Sequence, residues 1–156
     1  MNPGLDSGFE DAVRDATLDV ALRRARETWV PAMVAQSHQR LRQYGGANDY
    51  DVEPIIASLS QPRVTRDGDK IVARWGWEHE AAPFFDAGVS PHTIEGNPIL
   101  SFVWTDAPPG VREMFSGTER VDGDPRVFFG SVDHPGIPAS HFVRRGIDWL
   151  HQNLET

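Results

Sequence analysis

At 156 residues the chain is long enough for one domain with a single core, and its 39% hydrophobic and 24% charged residues are ordinary for a globular protein. Its formal charge of −8, with Lys70 the one lysine among fifteen basic residues, speaks against wrapping nucleic acid, which takes clustered Lys and Arg. The lack of cysteine excludes disulfides, thiolate nucleophiles and Cys-ligated zinc; no apolar run reaches a membrane span, and "MNPGLDSGFED" has no signal-peptide pattern, so a soluble, unsecreted protein is expected.

The first third reads as helix. Phe9, Val13, Ala16 and Val20 recur at spacings of four, three and four, and Leu18, Leu22, Ala25, Trp29 and Met33 continue a neighbouring stripe. Asp6 or Ser7 can cap the start, Glu10 and Asp11 suit the first turn, Pro31 kinks the run or opens a second helix, and Gly45-Gly46 is the expected stop near Tyr44. So broad an apolar face predicts packing on a sheet. From Pro62 the period becomes two. "RVT", "RDGD" and "KIVARWGWEH" predict a β-hairpin turning at Asp67-Gly68, with Ile71, Ala73, Trp75 and Trp77 on one side and Val72, Arg74 and Glu78 on the other. "AAPFFDAG" reads as a helical turn or bulged crossing. "PILSFVW" (98–104) and "RVFFGSV" (126–132) are strands apolar enough on both faces to be largely covered, and the segment between them is an exposed excursion. A last helix from Pro138 places Val143, Ile147, Leu150 and Leu154 on one stripe. The expected fold is a single α+β domain over 1–156. An antiparallel sheet of about four strands (62–134) would carry N-terminal helices (6–44) and a C-terminal helix (138–154).

Chemistry is sparse. His79, His92, His134 and His141 lie near Glu78, Glu80, Asp86 and Asp133, but no two histidines have metal-ligand spacing, and His134 and His141 are separated by a proline-rich turn. Serines 58, 90, 101, 116, 131 and 140 form no Gly-x-Ser-x-Gly elbow, and Asp122 and Asp124 sit in turn composition. There is no phosphate loop, so no catalytic, metal or cofactor residues are expected. Arg23, Arg24, Arg26, Arg40 and Arg42 make a basic stripe on the N-terminal helices. With Arg144 and Arg145 they are either solvated faces or a subunit or partner interface. Five tryptophans, Trp29, Trp75, Trp77, Trp104 and Trp149, point mainly to core, with a share for an interface.

The order of motifs from residue 62 to 150 resembles the small head–tail joining proteins (neck or tail-completion proteins) of long-tailed double-stranded DNA viruses. The elements are Pro83-Phe84-Phe85-Asp86 with Gly88, then His92-Thr93-Ile94, the strand "ILSFVW", His134-Pro135-Gly136, and Phe142 opening the last helix. Glu95 and Gly96 stand where that family often carries lysines, and the 105–125 insertion is a further departure. The resemblance implies a structural virion protein, not an enzyme. It would form a closed homo-oligomeric ring in the neck between portal-side proteins and the tail tube or tail terminator, with DNA crossing its lumen. It would be located in the virion, and in the host cytoplasm during assembly. A tail-terminator or stopper subunit is the neighbouring alternative; a small ligand-binding or hydrolytic α+β enzyme using a pocket under Trp75, Trp77, His79 and His134 is the alternative of another class. On the ring reading, His134, Pro135, Gly136 and Pro138 form a stiff turn: Pro135 fixes φ, Gly136 takes a conformation open to few residues, and Pro138 suits a helix's first position.

Overall fold

The computed structural model of the protein describes residues 3–154, with side chains from Gly8 onward. It is α+β, with helices at both ends, and divides into two compact units: residues up to Gly88 together with those from Pro138, and residues Val89–Ile137. The one sheet of about four strands expected over 62–134 is instead two antiparallel sheets, of two and three strands, one in each unit.

In the first unit the backbone is helical from Pro3 to Asn48, as α1 (Pro3–Arg24), a π turn (Ala25–Trp29) and α2 (Val30–Asn48). The helix starts at Pro3, ahead of Asp6 and Ser7, so neither is its first cap; their side chains lie outside the described residues. Pro31 does not end the helix. The Val30 N–H reaches back five residues to the Ala25 carbonyl, and this wide turn directly precedes the proline, whose ring and missing donor disturb a regular ladder. Nor do Gly45 and Gly46 stop it. A Cβ on Gly45 would lie 2.8 Å from the Tyr50 carbonyl oxygen, so that glycine permits close approach of the returning chain, and Asp49 at φ 58° makes the left-handed cap.

After α3 (Glu53–Ala57), β1 (Arg63–Asp67) and β2 (Lys70–Arg74) pair from Arg63↔Arg74 to Asp67↔Lys70, turning through Gly68 at φ 58°. The second arm ends at Arg74 rather than running to His79; Trp77 makes an isolated bridge to Leu59. Buried Ala25, Val30, Met33, Val34 and Val64 form one cluster of the core, with Ile71 and Ala73 from β2 and Ile147, Trp149 and Leu150 from α6 (Phe142–Asn153) packed against it. The expected packing of helices on a hairpin face therefore holds for the stripe through Leu22, Ala25, Trp29 and Met33, whereas the stripe of Phe9, Val13, Ala16 and Val20 is exposed. All five tryptophans are half-buried and none fully buried, because so large a ring seldom disappears into a core this small.

The last helix starts at Phe142, four residues later than expected, because Pro138 is followed by a passage without regular structure and His141 sits at φ 52°. Its buried face is also rotated from the expected stripe: Phe142 and Gly146 are buried, Val143 and Ile147 half-buried, and Leu154 exposed. Gly146 is why. A Cβ there would meet Ser37 Oγ and come within 2.8 Å of the Met33 carbonyl oxygen, so α6 lies against α2 along its glycine.

The second unit is a long hairpin, β3 (His92–Val103) and β5 (Asp124–His134), with β4 (Arg120–Val121) on the far edge of β5 and α5 (Pro109–Met114) in the connection; α4 (Ala82–Ala87) precedes it in the first unit. "PILSFVW" is thus the second half of a strand beginning at His92. The halves are separated by a bulge between Glu95 and Leu100 that contains a cis Asn97-Pro98 bond. Val127 is buried, with Phe129 and Trp104 half-buried nearby, but Ile94, Ile99, Phe102 and Phe128 are exposed. The expected coverage of both strands therefore fails. Within this unit only the six-residue α5 accompanies the sheet, too little to lie over two faces.

Candidate functional site

The residues that carry the resemblance fall into one cluster within each unit. In the first, α4 delivers Phe85 and Asp86. Phe85 packs edge-on against Tyr44 (5.9 Å) and Tyr50 (5.3 Å), fixing α4 against the end of α2. Asp86 then serves the start of α6 twice: its carbonyl accepts the His141 N–H at 3.0 Å and its carboxylate the Val143 N–H at 3.1 Å. A helix begins with unsatisfied donors, and an acid there also meets the positive end of its dipole, so Asp86 is an N-terminal cap supplied from a distant part of the chain. Ser140, fully buried, completes the junction; its N–H donates to the Phe85 carbonyl, its carbonyl accepts from Arg40 Nε, and its hydroxyl accepts from the Phe142 N–H. Phe142, 1% exposed, meets Trp77 edge-on at 4.9 Å.

In the second unit the His-x-Ile and His-Pro-Gly elements are ladder partners: His92↔His134, Thr93↔Asp133, Ile94↔Val132. The two imidazoles lie 5.1 Å apart. His134 Nδ1 accepts the Gly136 N–H at 3.0 Å, closing the turn on itself, and His79 Nδ1 holds the Ala81 N–H in the same way. Gly136 has φ 86°, and a Cβ on it would run into the Val89 carbonyl oxygen while Val89 and Ile137 bridge the base of the hairpin. Only glycine fits both constraints. Pro138 does not open the helix; its carbonyl accepts the Tyr44 hydroxyl hydrogen. Among the described residues no group of three or more His, Cys, Asp or Glu could hold a metal ion.

The seven arginines separate. Arg26 donates to the Val64 carbonyl, tying the π turn to β1, and Arg40 donates to Ser140; both are structural. Arg42 makes a two-pronged pair with Glu53, which raises the arginine's pKa and lowers the glutamate's. Arg144 lies 3.9 Å from Asp148, and Arg145 borders a polar groove between α2 and α6 with Gln36, Gln39 and Gln43. Arg23 and Arg24 are exposed at the end of α1.

A second groove in the first unit, of about 600 Å³, is lined by Trp75, Trp77, Ala82, Pro83, Phe142 and Val143, with Arg74 and Asp86 as its only ionisable residues. No histidine lines it. His38 stands behind Trp77 and accepts the indole N–H on Nε2 at 3.0 Å; desolvation first, and then the charge of Arg42, hold its pKa below the ordinary value. The imidazole is therefore fixed as a neutral acceptor, since tryptophan can only donate. Burial likewise raises the Tyr44 phenol, reinforced by Tyr50.

No family model, curated protein or solved structure matches the chain. Sequence reasoning missed Gly146, the carboxylate cap from Asp86 and the buried Ser140. A glycine inside an apolar helical stripe is a signal for the first; nothing local to residues 83–88 points to the second, whose partner is 57 positions away.

Proposed function

We propose that the protein is a structural subunit of a viral neck, forming a closed homo-oligomeric ring between a DNA-filled head and a tail. One observation carries the reading: four of the five motif elements of the resemblance supply residues that build junctions of the fold. Asp86 and Phe142 build the start of α6, while His92, His134 and Gly136 close the base of a hairpin. A ring subunit works by presenting rigid, mutually matched faces, and heterologous rings require two different faces on each copy. The Trp75–Trp77 groove and the exposed apolar strands β3 and β5 are two such faces, of opposite character: one concave, one extended. The −8 charge supports a lumen that repels phosphates rather than holds them.

The test is native mass and light scattering of the purified protein from 0.1 M to 1 M salt, together with particle fractions. Screening shortens from about 10 Å to about 3 Å over that range, so acidic subunits should assemble more readily as salt rises. Duplex DNA binding should be absent or indifferent to salt. A strict monomer at every salt concentration that is also missing from particles would overturn the reading, as would tight DNA binding that weakens steeply with salt.

A further inference from the structure

We infer that α1 pairs with α1 of a second copy, antiparallel, through Phe9, Val13, Ala16 and Val20. This goes beyond the ring reading and does not rest on it, since a two-fold pair buries the same face twice.

From Gly8 to Thr17 every side chain of α1 is exposed, with Phe9 at 70%, Val13 at 48% and Val20 further along at 45%. The Asp15–Arg66 ion pair holds this stretch from its polar side, but no described residue packs on its apolar side. A helix of this length with so little tertiary support is marginal in water, so that side calls for a partner. The 4-3-4 spacing is that of a two-helix seam, about 17 Å long at 1.5 Å per residue.

The seam is its own complement when one copy is reversed. About the point between Arg14 and Asp15, Phe9 is as far on one side as Val20 on the other, and Val13 matches Ala16. Reversal therefore stacks Phe9 on Val20 and Val13 on Ala16, each twice, with a large residue always meeting a smaller one. A recess of about 500 Å³ runs along the seam from Val13 and Ala16 to Val20, Arg24 and Trp29, and the partner's Phe9 would arrive at its Val20 end.

Charge chooses the direction. Asp11 is paired with Arg14, and Asp15 and Asp19 with Arg66, which leaves Glu10 at one end of the seam and Arg23 and Arg24 at the other without side-chain partners among the described residues. Antiparallel pairing brings Glu10 beside Thr17 of the other copy, within reach of Arg24, whose side chain leans toward its helix's N-terminus. A parallel pair would set acidic half against acidic half.

The chain has no cysteine, so cross-linking is specific. Val13→Cys and Ala16→Cys proteins, mixed and oxidised, should cross-link as a heterodimer at least tenfold more efficiently than either alone, because only the mixed pair places sulfurs in bonding range. Val13→Asp acts in two symmetric layers and should raise the dimer Kd by roughly 100-fold, about tenfold per layer, in sedimentation. Val13 is exposed in the single chain, so unchanged circular dichroism beyond α1 is expected. Equal cross-linking of Val13→Cys alone, a wild-type protein that stays monomeric at its solubility limit, or a monomer–dimer Kd unchanged by Val13→Asp would each overturn the pairing.

Discussion

Replacing Gly146 by alanine sets two effects of opposite sign against each other. In a helix interior alanine is favoured over glycine by about 0.8–1.0 kcal/mol, and α6 would gain that if the site were open. It is not open: the new methyl would meet Ser37 Oγ and sit 2.8 Å from the Met33 carbonyl oxygen, which belongs to the backbone of α2 and cannot rotate away. Overpacking of this kind costs about 1–3 kcal/mol. The net expectation for Gly146→Ala is a loss of up to about 2 kcal/mol, read as a fall in Tm of up to about 8 °C for a chain of this size. Gly46 supplies the control, since it is helical and has nothing within 4 Å of its would-be Cβ. Gly46→Ala should raise Tm by the propensity term alone. Adding Ser37→Ala to Gly146→Ala removes one obstruction and leaves the Met33 carbonyl, so it should recover part of the loss. Thermal melts of the four proteins by circular dichroism decide the matter. If Gly146→Ala and Gly46→Ala shift Tm in the same direction, the close approach of α6 to α2 is not what holds the two helices together.

Three further outcomes follow from the junctions. Gly136→Val must force a β-branched residue to φ 86° and against the Val89 carbonyl, so it should cost about 1–3 kcal/mol in denaturant unfolding; wild-type stability would mean the turn is slack. Asp86→Ala removes the carboxylate that accepts from Val143 and should cost about 1 kcal/mol, with Asp86→Asn recovering most of it; equal losses in both would locate the effect in charge rather than capping. His38 has a folded-state pKa below its ordinary value near 6.5, so the unfolded chain takes up the proton first. Its contribution is present above about pH 6.5 and is lost as pH falls toward the lower folded value, so the denaturation midpoint should decline more steeply between pH 7 and 5 in wild type than in His38→Gln. Parallel pH profiles would show that the Trp77 bond does not require the neutral ring.

Where local physics determines the outcome, the sequence was readable. The helical stripe through Leu22, Trp29 and Met33, the hairpin around Gly68 and the positive φ of Gly136 each follow from spacing or from a residue's own backbone preference. What could not be read depends on distant partners. Gly45 resembles a helix stop until the chain returns through Tyr50 to lie against it, and Pro138 resembles a helix start until Asp86 and Ser140 supply the donors' partners four residues later. The division into two sheets was hidden for a similar reason, because strands of either sheet have the same alternation and pairing is decided by what they meet. At the candidate site, Arg23 and Arg26 are indistinguishable by type, yet one is exposed at the end of α1 and the other is bonded to the Val64 carbonyl.

The π turn at Ala25–Trp29 bears on what kind of change could alter the exposed side of α1. One turn of this width holds an extra residue relative to an ordinary helix, which amounts to a phase step of about 100° between everything before it and everything after. Met33, Val34 and Leu41 face inward on one side of that step, while Phe9, Val13 and Val20 face solvent on the other. Deleting a single residue inside the turn would swing the whole of α1 about its axis and carry its apolar stripe to another compass bearing, with every side chain of the α2 core left in place. The direction in which α1 presents itself is thus set by a residue count in one turn, a variable that insertions and deletions can tune and point substitutions cannot.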